Sequence, residues 1–173
     1  MFTFLQKLLT KWFDLSNVDA GARAAGFAAL AVAARPVGGW LADRYGGPLV
    51  LTAAFAGVAV DAVALAVVAA HPTMLTVSIA CLTMAVFLGL GNGAVFKLVP
   101  LEFPQAPGAA TGIVGAVGGI GGFFPPVVMG LVKEWTGSFA IGFLGLMVFA
   151  VICFAIVLGL LNSQRGGRVV SPA

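Results

Sequence analysis

The sequence predicts an all-α membrane protein: a helical bundle of five spans preceded by a short amphipathic helix. Three observations carry this. Hydrophobic residues make up 61% of the 173 positions and charged residues only 9%. A soluble domain carries about 45–50% apolar and about 25% charged residues. Mean hydropathy is +1.10, and a globule of this length could not hide that much apolar surface from water. The apolar residues also fall into five separate runs, each about 20 residues long, the length that crosses a bilayer core of about 30 Å.

Residues 1–13 come first and are too short to cross. Met1, Phe4, Leu5, Leu8, Leu9 and Trp12 recur at helical spacing, while Thr3, Gln6, Lys7, Thr10 and Lys11 face away. This predicts an amphipathic helix of about 20 Å. Its two lysines, and the lack of a small-residue cleavage site, argue against a secretory signal. The five spans follow at 21–41, 48–70, 73–96, 108–132 and 138–161. Short connections rich in turn residues join them: DRYGGP, HPT, KLVPLEFPQAP and KEWTG. The bundle is thus expected over residues 14–161, with a polar, disordered tail at 162–173.

Several function classes are excluded. The net charge of +3 comes from scattered single lysines and arginines, which suit membrane flanks and not a nucleic-acid surface. Cys81 and Cys153 lie inside apolar runs and read as small buried hydrophobes. The lone histidine, His71, precedes Pro72 in a connection. No metal site and no cofactor is expected, and no catalytic triad or carboxylate pair is present, so the chain is not read as an enzyme.

The charges inside the spans are the informative residues. Arg35 lies about 18 Å along its helix from Arg23 and about 12 Å from Asp43, near the middle of the membrane. An arginine there is costly, by at least about 2.5–3.5 kcal/mol on insertion scales, and faces a bundle interior or a wet cavity. No carboxylate sits beside it at helical spacing. A permanently charged planar fork without a nearby acid suits a bound anion; the competing reading is a structural ion pair with Asp61 or Glu102. Pro36 follows directly and predicts a local kink. Asp61, in the second span, reads as a structural or neutral carboxyl ahead of a proton-coupling one. Asn92 offers an amide among Gly89, Gly91 and Gly93, and Lys97 ends that span as a snorkelling side chain. The fourth span carries Gly108, Gly112, Gly115, Gly118, Gly119, Gly121 and Gly122. Such a face either packs tightly on a neighbouring helix or brings backbone close to a substrate. Charges on the connections divide evenly between the two sides and do not orient the chain.

Residues 39–47, GWLADRYGG, resemble the loop motif of the major facilitator superfamily: Gly39, Leu41, Ala42, Asp43, Arg44 and Gly46 match, while Gly47 and Pro48 replace the usual basic residues. ARPVGGWLADRYGG at 34–47, GLGNGAVFKLVP at 89–100 and GAATGIVGAVGGIGGFFPP at 108–126 resemble, in order, segments of the nitrate/nitrite porter family. The resemblance implies the C-terminal half of a twelve-helix secondary transporter in the bacterial inner membrane. It implies alternating access, with nitrate or nitrite held between halves by an arginine from each, Arg35 being the one here. Asn92, Gly115, Gly118 and Gly119 would line the same site. Gly39, Asp43, Arg44 and Gly46 would form a cytoplasmic switch loop, with Asp43 acting on a helix N-terminus. The partners implied are the anion, the lipid bilayer and an N-terminal transporter half, with no nucleic acid. Residues 1–13 would be the remnant of a seventh helix. The competing functions are a major facilitator half for another small anion, or a truncated membrane fragment that transports nothing.

Overall fold

The computed structural model describes residues 2–136 and 140–167, and within them every regular element is helical. Six helices follow in order: α1 (Phe2–Phe13), α2 (Asn17–Tyr45), α3 (Gly47–Val68), α4 (Met74–Glu102), α5 (Pro107–Thr136) and α6 (Ala140–Gly167). Among the described residues, α2, α3, α4 and the Ile141–Gly159 stretch of α6 are long and apolar enough to cross a membrane. The remaining expected span, the fourth, is α5, part of whose side chains lie outside the described residues. The chain is a multi-pass membrane protein.

Several helices outrun the apolar runs that announced them. α2 begins at Asn17 and ends at Tyr45, and α4 continues to Glu102 with Pro100 inside its last turns. An apolar run marks what lipid must cover, whereas a helix continues until its backbone is capped. Ser16 caps α2: its hydroxyl accepts from the Asp19 amide at 3.1 Å and donates to Asp19 Oδ2 at 2.7 Å, an N-terminal box of the kind that stabilises a first turn. Thr73 caps α4 by accepting from the Thr76 amide at 3.3 Å. α6 likewise runs through Gly167, past the point where the tail was expected to lose structure; residues 168–173 lie outside the described residues. Pro36 does not break α2, which passes through it as one helix.

The α2–α3 turn consists of one residue, Gly46, with φ +93°. A side chain there would be strained. The tight reversal sets α3 antiparallel to α2. α4 returns parallel to α2 and packs along it: Phe27 and Val77 meet at one end, Gly38 and Leu90 in the middle. α3 and α4 also pack together, with Gly57 making room for the Phe87 ring and Gly47 for Leu98. α6 leans on α3, and α5 packs on α4 and α6.

α1 seats its apolar face on this bundle. Leu5, Leu8 and Leu9 are buried with Ala20, Ala24, Phe27, Ala62, Leu65, Val77 and Phe143, while Lys7 and Lys11 stay exposed. Gln6 Nε2 donates to the Asn17 carbonyl at 3.1 Å, fastening α1 to the start of α2.

Candidate functional site

Small residues control the centre of α2. A methyl group at Gly38 would come within 2.7 Å of the Leu90 Cα, and one at Gly89 within 2.6 Å of the Ala34 Cβ. One at Gly93 would reach within 2.8 Å of the Arg35 carbonyl carbon and 3.0 Å of the Gly39 nitrogen. The two backbones therefore touch at the level of Arg35, as small residues allow inside lipid. Arg35 is held by its own backbone while its side chain is exposed on the surface of this chain. No carboxylate pairs with it among the described residues. Asp61 Oδ1 instead lies 3.1 Å from Thr83 Oγ1, and Glu102 is exposed at the end of α4. The alternative of an Arg35 ion pair with either acid is not realised.

Asn92 sits elsewhere on α4. Gly91 faces Ala54 of α3, and Gly89 and Gly93 face α2. Successive residues turn by about 100°, so Asn92 lies on a third azimuth, between these two. Its Oδ1 is buried without a hydrogen-bond partner, and no described contact joins it to Arg35. The α5 glycines are separate again. A methyl at Gly115 would lie 3.9 Å from the Phe96 ring, and one at Gly108, Gly112, Gly118, Gly119, Gly121 or Gly122 would meet nothing within 4 Å. Tight packing of the α5 glycine face on this chain's own helices does not occur among the described residues.

The loop motif forms a charged cluster at one end of the bundle. Asp43 Oδ1 pairs with Lys97 Nζ at 3.0 Å, with side chains 52% and 44% exposed. Its ion-pair partner is thus an ammonium; Asp43 stands in the last turn of α2, where a negative charge opposes the helix dipole and the lysine offsets it. The Arg44 guanidinium lies 5.6 Å from the Trp40 ring centroid and 5.8 Å from that of Tyr45. Exposed Trp and Tyr beside basic residues are the usual furniture of a membrane–water boundary. Gly39 packs near Gly93, and Gly46 supplies the turn. Sequence reasoning left Lys97 as a lone snorkelling side chain. The signal for the pair was present: Asp43 and Lys97 end two spans that run in the same direction, at the same membrane face.

Cavities lie away from these residues. One of about 620 Å³ is walled by Glu102, Phe103, Gln105, Ala109 and Ile113 around the α4–α5 connection. Another, of about 200 Å³, lies among Leu5, Arg23, Phe27, Ser78 and Cys81. Both are shaped by helix ends and do not reach Arg35 or Asn92. Neither of these two cavities encloses the Arg35 guanidinium.

Comparison with known proteins places the architecture. The Major Facilitator Superfamily profile matches residues 1–172. The chain is 41% identical over 162 residues to a nitrite extrusion protein of Bacillus subtilis (strain 168), covering 94% of this chain and 40% of that protein. It is 44% identical over 151 residues to a probable nitrate transporter NarT of Staphylococcus haemolyticus (strain JCSC1435), covering 87% of this chain and 38% of that one. A NarT of Staphylococcus aureus (strain JH9) is 40% identical over 163 residues, covering 94% and 41%. The chain thus spans about two fifths of the length of these curated relatives, and their names describe transporters, not enzymes. With its parallel α2–α4 crossing, its glycine turn and its charged loop, the chain belongs to the Major Facilitator Superfamily.

Proposed function

We propose that this chain acts as the C-terminal half of a nitrate or nitrite transporter working by alternating access, with Arg35 as the anion ligand. The observation that carries this reading is a guanidinium midway along α2, clamped at its backbone by Gly93 and lacking a carboxylate partner among the described residues. An unpaired charge of this kind is disfavoured against lipid, so its exposed azimuth belongs to a wet cavity facing a second half. On this reading that half supplies the opposing arginine. Nitrate is flat, and a planar guanidinium can bond two of its oxygens at once, which an ammonium cannot do in plane. The relatives named for nitrate and nitrite point to the same ion. Gly115, Gly118 and Gly119 then offer free space to the second half, whereas the Asn92 amide oxygen is buried inside the helix group.

The test is Arg35→Lys in a transporter completed by its other half. A charge-assisted bond contributes about 1.5–3 kcal/mol, so nitrate uptake should fall by about 10- to 100-fold while membrane insertion is unchanged. Uptake at the wild-type level would remove Arg35 from the site. Competition by other small anions in the same assay decides the substrate: failure of excess nitrate to compete would favour a major facilitator half for a different anion.

A further inference from the structure

Asp61 lies well inside α3, about 21 Å along the helix from Gly47 and about 10 Å from Val68. Its surroundings are poor in polar partners. Thr83 Oγ1, on α4, stands 3.1 Å from Oδ1, and Oδ2 is buried with no hydrogen-bond partner. The helices packed on α3 bring no described cation to it. α4 presents Thr83, with Cys81 within electrostatic reach. α2 carries Asp19, Arg23, Arg35, Asp43 and Arg44, none of which is bonded to Asp61. On α6 the titratable side chain among the described ones is Cys153.

The hydrogen count at Thr83 limits what its hydroxyl can donate. A threonine hydroxyl has one hydrogen and two lone pairs. Thr83 Oγ1 lies 3.0 Å from the Ile79 carbonyl oxygen, 3.1 Å from that of Ala80 and 3.1 Å from Asp61 Oδ1. Bonding back to the carbonyl one turn earlier is the ordinary arrangement of a helical threonine. Once its hydrogen is used there, Oγ1 meets Asp61 with lone pairs. Two oxygens this close attract only if a hydrogen lies between them, and that hydrogen must come from Asp61.

We propose that Asp61 is held as the neutral carboxylic acid and donates its proton to Thr83 Oγ1, forming a proton-binding site within the membrane that ties α3 to α4. In the acid form Oδ2 is a carbonyl oxygen, for which a missing partner costs far less than for half of a carboxylate. This inference is independent of the anion-binding reading of Arg35.

The test is infrared spectroscopy of the chain in lipid vesicles at neutral pH. A carboxylic-acid carbonyl band is expected from Asp61, and the Asp61→Asn variant separates it from any band of Asp14, Asp19, Asp43, Glu102, Glu134 or the C-terminal carboxyl. It should vanish in Asp61→Asn and move to higher frequency in Thr83→Val, where the acid keeps its proton but loses its acceptor. A wild-type spectrum without the band would overturn the proposal, as would a band that survives in Asp61→Asn. A band whose frequency ignores Thr83→Val would overturn the assigned donor. If Asp61→Asn fails to fold, the Thr83→Val shift still decides, because only a carboxyl bonded to Thr83 responds to that substitution.

Discussion

Single residues do three separable jobs at the loop end of this bundle. Gly46 turns the chain with φ +93°. Although a methyl group there would meet no neighbour, the backbone conformation alone should make Gly46→Ala cost about 1–3 kcal/mol, read as a lowered unfolding temperature in detergent. The Asp43–Lys97 pair is half in water and belongs with exposed ion pairs, whose couplings run to about 0.2–1 kcal/mol. A double-mutant cycle with Asp43→Asn and Lys97→Met should return a coupling in that range that shrinks as salt is added; a coupling of several kcal/mol would mean the pair is buried in the working protein. Arg44 over Trp40 follows from four-residue helical spacing and was legible in the sequence. The Asp43–Lys97 contact joins residues far apart in the chain, and only the direction of the spans brings them together.

At the scale of the helix, glycine count misled where glycine placement mattered. α5 holds the densest run of Gly-xxx-Gly spacings, yet most of its glycines meet no neighbour within the described fold. The backbone-to-backbone crossing is made by Gly38 of α2 with Gly89 and Gly93 of α4. A pattern of small residues shows that a helix can be approached closely; it does not show which neighbour approaches. The two sets should therefore separate by measurement. Gly93→Val would drive its side chain into the Arg35 carbonyl and should destabilise the α2–α4 pair by at least about 1–3 kcal/mol, the usual cost of overpacking, with aggregation or degradation on expression. Gly118→Ala and Gly119→Ala should leave expression and thermal stability of this chain within about 0.5 kcal/mol of wild type. If those alanines damaged the isolated chain's stability, the open α5 face described above would be wrong. If they damaged only transport in a completed protein, the face would belong to the second half or the anion.

For the whole molecule, the order and span of the helices were readable because lipid imposes one simple demand: every backbone polar group must be satisfied along its own helix. What the sequence could not supply was the azimuth of each helix, and azimuth is what makes a site. Arg35 was legible as a mid-span charge, but the absence of an Asp61 or Glu102 partner became visible only once α2, α3 and α4 were packed. The same packing leaves Arg35 on an outer surface, with no cavity described here reaching it, so on the proposed reading this chain contributes one side of an anion site. The consequence is measurable in vesicles. This chain reconstituted alone should give no nitrate flux above that of protein-free vesicles. Co-reconstituted with the N-terminal part of a full-length relative, it should give flux that disappears with Arg35→Lys. Flux from the chain alone that still depended on Arg35 would require copies of the chain to complete one another's site.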